Sequence, residues 1–134
     1  MTDANKQTIR DYAAAFSAGD LERVRALHAP DAVVRGVLGW GSVDDVMPIW
    51  RDLVDALGMR LEIESLIAEG DMVAARYREI GLSRAPFRGQ PATGKSYELL
   101  AMEWYEMKDG LIHRRWGARD AASQARQLGW AGQQ

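Results

Sequence analysis

The apolar residues of this chain change their spacing once, at Gly58, and no other feature restricts the fold as much. Before it they recur every three or four residues. After it they alternate with polar ones, as Met59, Leu61 and Ile63 do with Arg60, Glu62 and Glu64. The first spacing belongs to amphipathic helices and the second to half-buried strands. A chain that puts helices first and strands after folds as α+β, with its helices packed on one face of a curved antiparallel sheet.

The elements follow from the punctuation. Ile9, Tyr12, Ala13 and Phe16 give a first helix from Lys6 to Ser17, closed by Gly19. Asp20 caps a second helix carrying Leu21, Val24 and Leu27, which ends before Pro30. Ala32 to Val37 reads as a short strand running into a glycine-rich segment that ends at Gly41. A third helix carries Val46, Trp50, Leu53 and Leu57; Pro48 belongs in a first turn, which favours a start at Asp45 over one at Ser42. Turns at Glu69-Gly70-Asp71 and Lys108-Asp109-Gly110 make hairpins of Met72 to Leu82 and of Tyr97 to Met107 with Leu111 to Ala118. Ser83 to Lys95 is expected to form the rim or lid of a cavity, and Asp120 to open a last helix ending at Leu128.

With 134 residues the chain is expected to be a single domain over 1–134, large enough for a core with a pocket in it. A net charge of −2 offers no electrostatic attraction to nucleic acid or to a membrane surface. The chain has no cysteine, so disulfides, thiolate catalysis and cysteine-held metals are excluded. Its first residues lack the apolar run of a secretory signal, and the expected compartment is the cytoplasm. Motifs for phosphate loops, dinucleotides and zinc hydrolysis are missing, and neither His28 nor His113 has a partner at metal-ligand spacing. The reading is chemistry without a metal or a cofactor, with His28 a surface residue and His113 a solvated or cross-strand one.

Carboxylates and indoles crowd the last two strands: Glu98, Glu103, Trp104, Tyr105, Trp116, Arg119 and Asp120. A carboxyl walled by indoles loses hydration, which raises its pKa toward values useful for proton transfer. Trp116 and Asp120 are four apart and share a face of a regular strand; Asp120 is then either a proton carrier or the cap of the last helix. A three-residue turn at Lys108 to Gly110 pairs Glu103 with Arg115 and puts Met102 and Trp104 on the face of Trp116 and Asp120. Glu103 then points away from Asp120 unless a β-bulge intervenes. Arg76 and Arg78 share a face of their strand, where an arginine can orient a carboxylate or an enolate.

Gly94-Lys95, the run from Ala101 to Ile112, Trp116, Asp120 and the closing Gln127-Leu128-Gly129 resemble the SnoaL-like polyketide cyclase (ester cyclase) family. The opening from Tyr12 to Asp20, with Asp31, is similar to the wider nuclear transport factor 2-like superfamily. The resemblance implies a cone-shaped cystatin-like roll whose N-terminal helices enclose a pocket. It also implies a cofactor-independent cyclase, isomerase or lyase acting on a polyketide-like or other small apolar carbonyl compound. Asp120 matches the family's acid/base aspartate, and Glu103 stands where a histidine is frequent. The substrate-binding set is then Trp116, Trp104, Met102, Arg76, Tyr12 and Trp50, the partners a small apolar or aromatic molecule and a second copy of the chain. A non-catalytic binding protein of the same fold remains an alternative, as do enzymes like the ketosteroid isomerases, whose oxyanion tyrosine Tyr12 matches. So do enzymes like the limonene-epoxide hydrolases, of whose Arg-x-Asp only Arg76 is kept.

Overall fold

The computed structural model describes residues 2–130. Helix α1 (Thr2–Ser17) buries Ile9, Tyr12, Ala13 and Phe16 and lies against the sheet. Asp20 caps α2 (Leu21–Ala26), accepting from the Arg23 N–H at 3.1 Å. Strand β1 (His28–Arg35) starts four residues before the expected Ala32, because Pro30 is exposed and the register shifts between His28 and Val33. After β2 (Trp40–Ser42), helix α3 (Val43–Leu57) starts from Ser42, not from Asp45. Ser42 and Asp45 form a reciprocal capping box, which satisfies two N-terminal N–H groups. Starting there brings Val43 onto the buried face with Val46, Trp50, Leu53 and Leu57, and that burial outweighs the N–H that Pro48 lacks inside the helix.

Gly58 ends α3 with φ at 54°, in the left-handed region where a Cβ is penalised, and the chain turns directly into the sheet. The remaining strands are β3 (Arg60–Glu69), β4 (Met72–Leu82), β5 (Ser96–Lys108) and β6 (Leu111–Arg119), followed by α4 (Ala121–Leu128). The order across the sheet is β2-β1-β6-β5-β4-β3. Neighbours are antiparallel except β1 and β6, which run parallel, with β2, α3 and the meander β3 to β5 between them in the chain.

Two irregularities bend the long strands, one between Ile63 and Ser65 and one between Glu106 and Met107. The second accompanies a turn shorter than expected. Lys108 pairs with Leu111, and Asp109 and Gly110 alone make the turn, with φ of 53° and 77°. The loop from Ser83 to Lys95 does not overhang the cavity. Arg84 ties it to the C-terminal end of α3 through the Val54 and Asp55 carbonyls, at 2.7 and 3.0 Å.

Candidate active site

Alternation decides which side chains the sheet turns inward. On β4 these are Val73, Ala75, Tyr77 and Glu79, on β5 Tyr97 to Met107 at every second position, and on β6 Arg115, Gly117 and Arg119. The bulge at Glu106 and Met107 sets the register so that Glu103 lies opposite Gly117, and Arg115 opposite Tyr105. Between this face and α1 and α3 lies a cavity of about 660 Å³, its open mouth included. Tyr12, Phe16 and Trp50 form apolar walls, and the segment from Arg35 to Gly39 lines the mouth.

Four charged groups lie at the cavity wall as two ion pairs. Arg115 donates diagonally across the strands to the Glu103 carboxylate through Nη2. The same nitrogen reaches the Tyr12 hydroxyl at 2.9 Å, and Nη1 meets Nε2 of His28 at 3.2 Å. An arginine only donates, so Nε2 of His28 accepts and Nδ1 carries the proton given to the Val24 carbonyl at 2.8 Å. The guanidinium also lies 4.7 Å from the Tyr12 ring, 5.2 Å from Tyr105 and 5.3 Å from Trp50. The second pair joins Arg119 to Glu79, with Nε on Oε1 at 2.9 Å and Nη2 on Oε2, and Tyr97 donates to Oε2 at 2.7 Å. Each charge is matched where it is buried, which is the condition for burying it at all.

These surroundings move the ionisations. Burial pushes Glu103 above the ordinary carboxylate range, with Arg115 opposing that rise. His28 falls from 6.5 to about 3, first through burial and then through the Arg115 charge. Burial likewise holds the phenols of Tyr12, Tyr77 and Tyr105 protonated, and Tyr77 and Tyr105 share a hydrogen bond of 2.8 Å. Glu103 has room because residue 117 is glycine: a Cβ there would stand 2.8 Å from Oε2 of Glu103. Among the described residues no three His, Asp or Glu side chains are grouped to hold a metal ion.

Of the residues singled out from the sequence, Glu103, Arg119, Tyr12 and Trp50 meet in this cavity. The others do not. Asp120 is exposed and caps α4, accepting from the Ser123 N–H at 3.0 Å. It shares a face with Trp116, as the spacing requires, but that is the outer face of the sheet. There Trp116 lies opposite Trp104, and exposures of 39% and 50%, with 50% for Met102, exclude them from the cavity walls. Arg76 is on the same outer face, 3.4 Å from Glu64. His28, expected at the surface, is buried against Arg115. Hydropathy does not mark Glu79 as a wall residue, but it continues the alternation Val73, Ala75, Tyr77, and a carboxylate in phase with a buried series is the available signal.

The model of the family described as SnoaL-like polyketide cyclase matches residues 6–128. Among solved structures, IdmH of Streptomyces antibioticus, provisionally a polyketide cyclase, is 28% identical, with a TM-score of 0.84 over 93% of this chain and 98% of that one. AclR of Streptomyces galilaeus, provisionally a hydroxylase, is 23% identical, with a TM-score of 0.88 over 96% and 98%. A provisional polyketide cyclase of Xanthomonas campestris pv. campestris is 21% identical, with a TM-score of 0.86 over 95% and 98%. The last two share the fold of this chain, the nuclear transport factor 2-like roll. A comparison with curated proteins finds no match.

Proposed function

The chain belongs to the SnoaL-like polyketide cyclase family, and on that premise we propose that it is an acid/base enzyme acting on a small apolar carbonyl compound, with Glu103 as the proton carrier. One observation carries the reading: a carboxylate on the wall of an aromatic cavity, its pKa raised by burial. Glu103 takes a proton from the carbon next to the substrate carbonyl, and the electron pair of that C–H bond moves into an enolate. In a cyclisation the enolate carbon then attacks a second carbonyl of the same molecule, and the protonated Glu103 returns its proton to the alkoxide. Arg115 stays charged beside it and favours the ionised, proton-accepting form of Glu103. Tyr12 and Trp50 supply apolar walls, and the protonated Tyr12 hydroxyl a polar contact.

The test is deuterium exchange into the methyl group of 2-acetylnaphthalene, a flat apolar ketone. Wild type should exceed buffer, and Glu103→Gln should lose about 10²-fold or more of that rate. An unchanged rate in Glu103→Gln rejects the assignment. Binding without any exchange by wild type favours the second reading, a binding protein of the same fold, for which the observation is the ion pair that ties Glu103 to Arg115.

The outer face of the sheet supports a homodimer. Ile67, Met102, Trp104 and Trp116 are exposed together there. Around them Arg78 lies at 2.7 Å from Glu62 and 2.8 Å from Glu98, and Arg76 faces Glu64. An apolar centre flanked by both signs of charge is self-complementary about a two-fold axis, so the proposed occupant is a second copy of this chain.

A further inference from the structure

Tyr77 and Tyr105 are fully buried and line no part of the cavity, yet their hydroxyls stand 2.8 Å apart. The strand register says where. Ala75 lies opposite Glu103, Tyr77 opposite Ala101 and Tyr105 opposite Val73, so the two tyrosines flank the Ala75–Glu103 pair on one diagonal, offset by four residues. Hydroxyls from such positions come together only if both rings lean along the strands toward each other and meet over that pair, where Ala75 fills the space with no more than a methyl group. Glu103 therefore has the cavity on one side and the phenols on the other, and the Tyr105 hydroxyl reaches its carboxylate. Counting protons fixes the direction of the chain. Burial keeps both phenols protonated, and their mutual bond uses one of the two O–H protons. A buried hydroxyl proton needs an acceptor, and an ionised carboxylate only accepts. Tyr105 thus donates to Glu103, and Tyr77 donates to Tyr105.

We propose that Tyr105 is a positioning residue for the acid/base chemistry: held by the Tyr77 hydroxyl, it donates to the Glu103 carboxylate from the side away from the cavity. The inference deepens the acid/base reading and rests on it only for the effect on exchange; the hydrogen-bond chain needs no substrate. Tyr105 and Arg115 lie opposite each other on β5 and β6, and both then donate to one carboxylate. Their bonds occupy lone pairs on the protein side, so a proton taken from substrate stays on the cavity side, from which it is returned. A donor to the charged form favours that form, so losing Tyr105 makes Glu103 keep its proton to higher pH. The other groups that face Glu103 are Arg115 of β6, with His28 of β1 behind it, Tyr12 of α1 and Glu79 of β4. Helix α3 contributes Trp50, which does not titrate.

The test follows the Glu103 carboxyl carbon by NMR in the whole chain, its signal assigned by its absence in Glu103→Gln. Tyr105→Phe should move the titration midpoint up by about one pH unit or more, and Tyr77→Phe should move it in the same direction by less. The pH at which exchange into 2-acetylnaphthalene reaches half its plateau should move with it. Two tyrosines that only fill the core would cost stability on truncation and leave both midpoints in place. An unchanged or lowered carboxyl midpoint in Tyr105→Phe overturns the proposal, and where that variant does not fold, an unchanged midpoint in Tyr77→Phe does so. Unchanged exchange in Glu103→Gln would sink the base, while the carboxyl titration still decides for or against the bond from Tyr105.

Discussion

His28 makes the stability of this protein depend on pH in a calculable way. Its imidazole is buried, gives its Nδ1 proton to Val24 and accepts from Arg115, so it must stay neutral in the folded protein. Protonation would add a second cation against the Arg115 guanidinium and cancel the Nε2 acceptor. The pKa therefore drops from 6.5 to about 3 on folding. A group whose pKa is depressed by folding supports the folded state above its unfolded value, and that support is lost as pH falls toward its folded value. Each pH unit inside the window is worth about 1.36 kcal/mol, so acidification from pH 7.5 to pH 5 should remove about 2 kcal/mol through His28 alone. Glu103 acts in the opposite sense, because its pKa is raised: its contribution is present at low pH and fades as pH rises through its folded value. The measurement must isolate His28, and His28→Gln does so, since an amide can donate and accept without titrating. Urea unfolding of both proteins at the two pH values should show wild type losing about 2 kcal/mol more than the variant. Parallel losses would refute the assignment of a buried neutral imidazole, as would a His28 ring signal that titrates near the ordinary value in NMR.

Gly117→Ala would place a Cβ against the Glu103 carboxylate, 2.8 Å from Oε2; thermal unfolding should show a cost of about 1–3 kcal/mol. Ketone exchange should fall much further than that loss of fold, and full exchange would mean that Glu103 is not held where the chemistry needs it. Asp120→Asn should leave exchange untouched and stability within about 0.5 kcal/mol, whereas Asp120→Ala should cost about 1 kcal/mol of cap energy by denaturant unfolding. A large loss of exchange in Asp120→Asn would restore the aspartate as proton carrier. Trp104→Arg puts a charge at the centre of the outer apolar face; light scattering should move from twice the chain mass of 14.9 kDa to that mass, and an unchanged value would reject this interface.

Local rules made most of the elements legible in the sequence. The helical spacing of Ile9, Tyr12 and Phe16, the cap at Asp20, the stop at Gly58 and the turn at Lys108-Asp109-Gly110 act over a few residues, and each element formed there, although α1 starts at Thr2 ahead of the expected Lys6 and Lys108 joins the strand instead of the turn. What a short window does not contain is which face of a strand becomes the interior. Both faces of β5 carry large apolar groups, Leu99 and Tyr105 on one and Met102 and Trp104 on the other, so hydropathy alone gives no preference. The tryptophans suggest the face that proves to be outside. The inner face holds Glu103, Arg115, Glu79 and Arg119, four charges that any hydropathy scale assigns to solvent. They are stable inside because each carboxylate meets a guanidinium from another strand, and that meeting depends on a bulge at Glu106 and on the helices that cover the sheet. The sequence by itself determined the elements and their order, because helix, strand and turn preferences are local. Only the tertiary structure decided which carboxylate faces the cavity, because the neutralising partners of Glu103 and Glu79 are brought to them by the strand register.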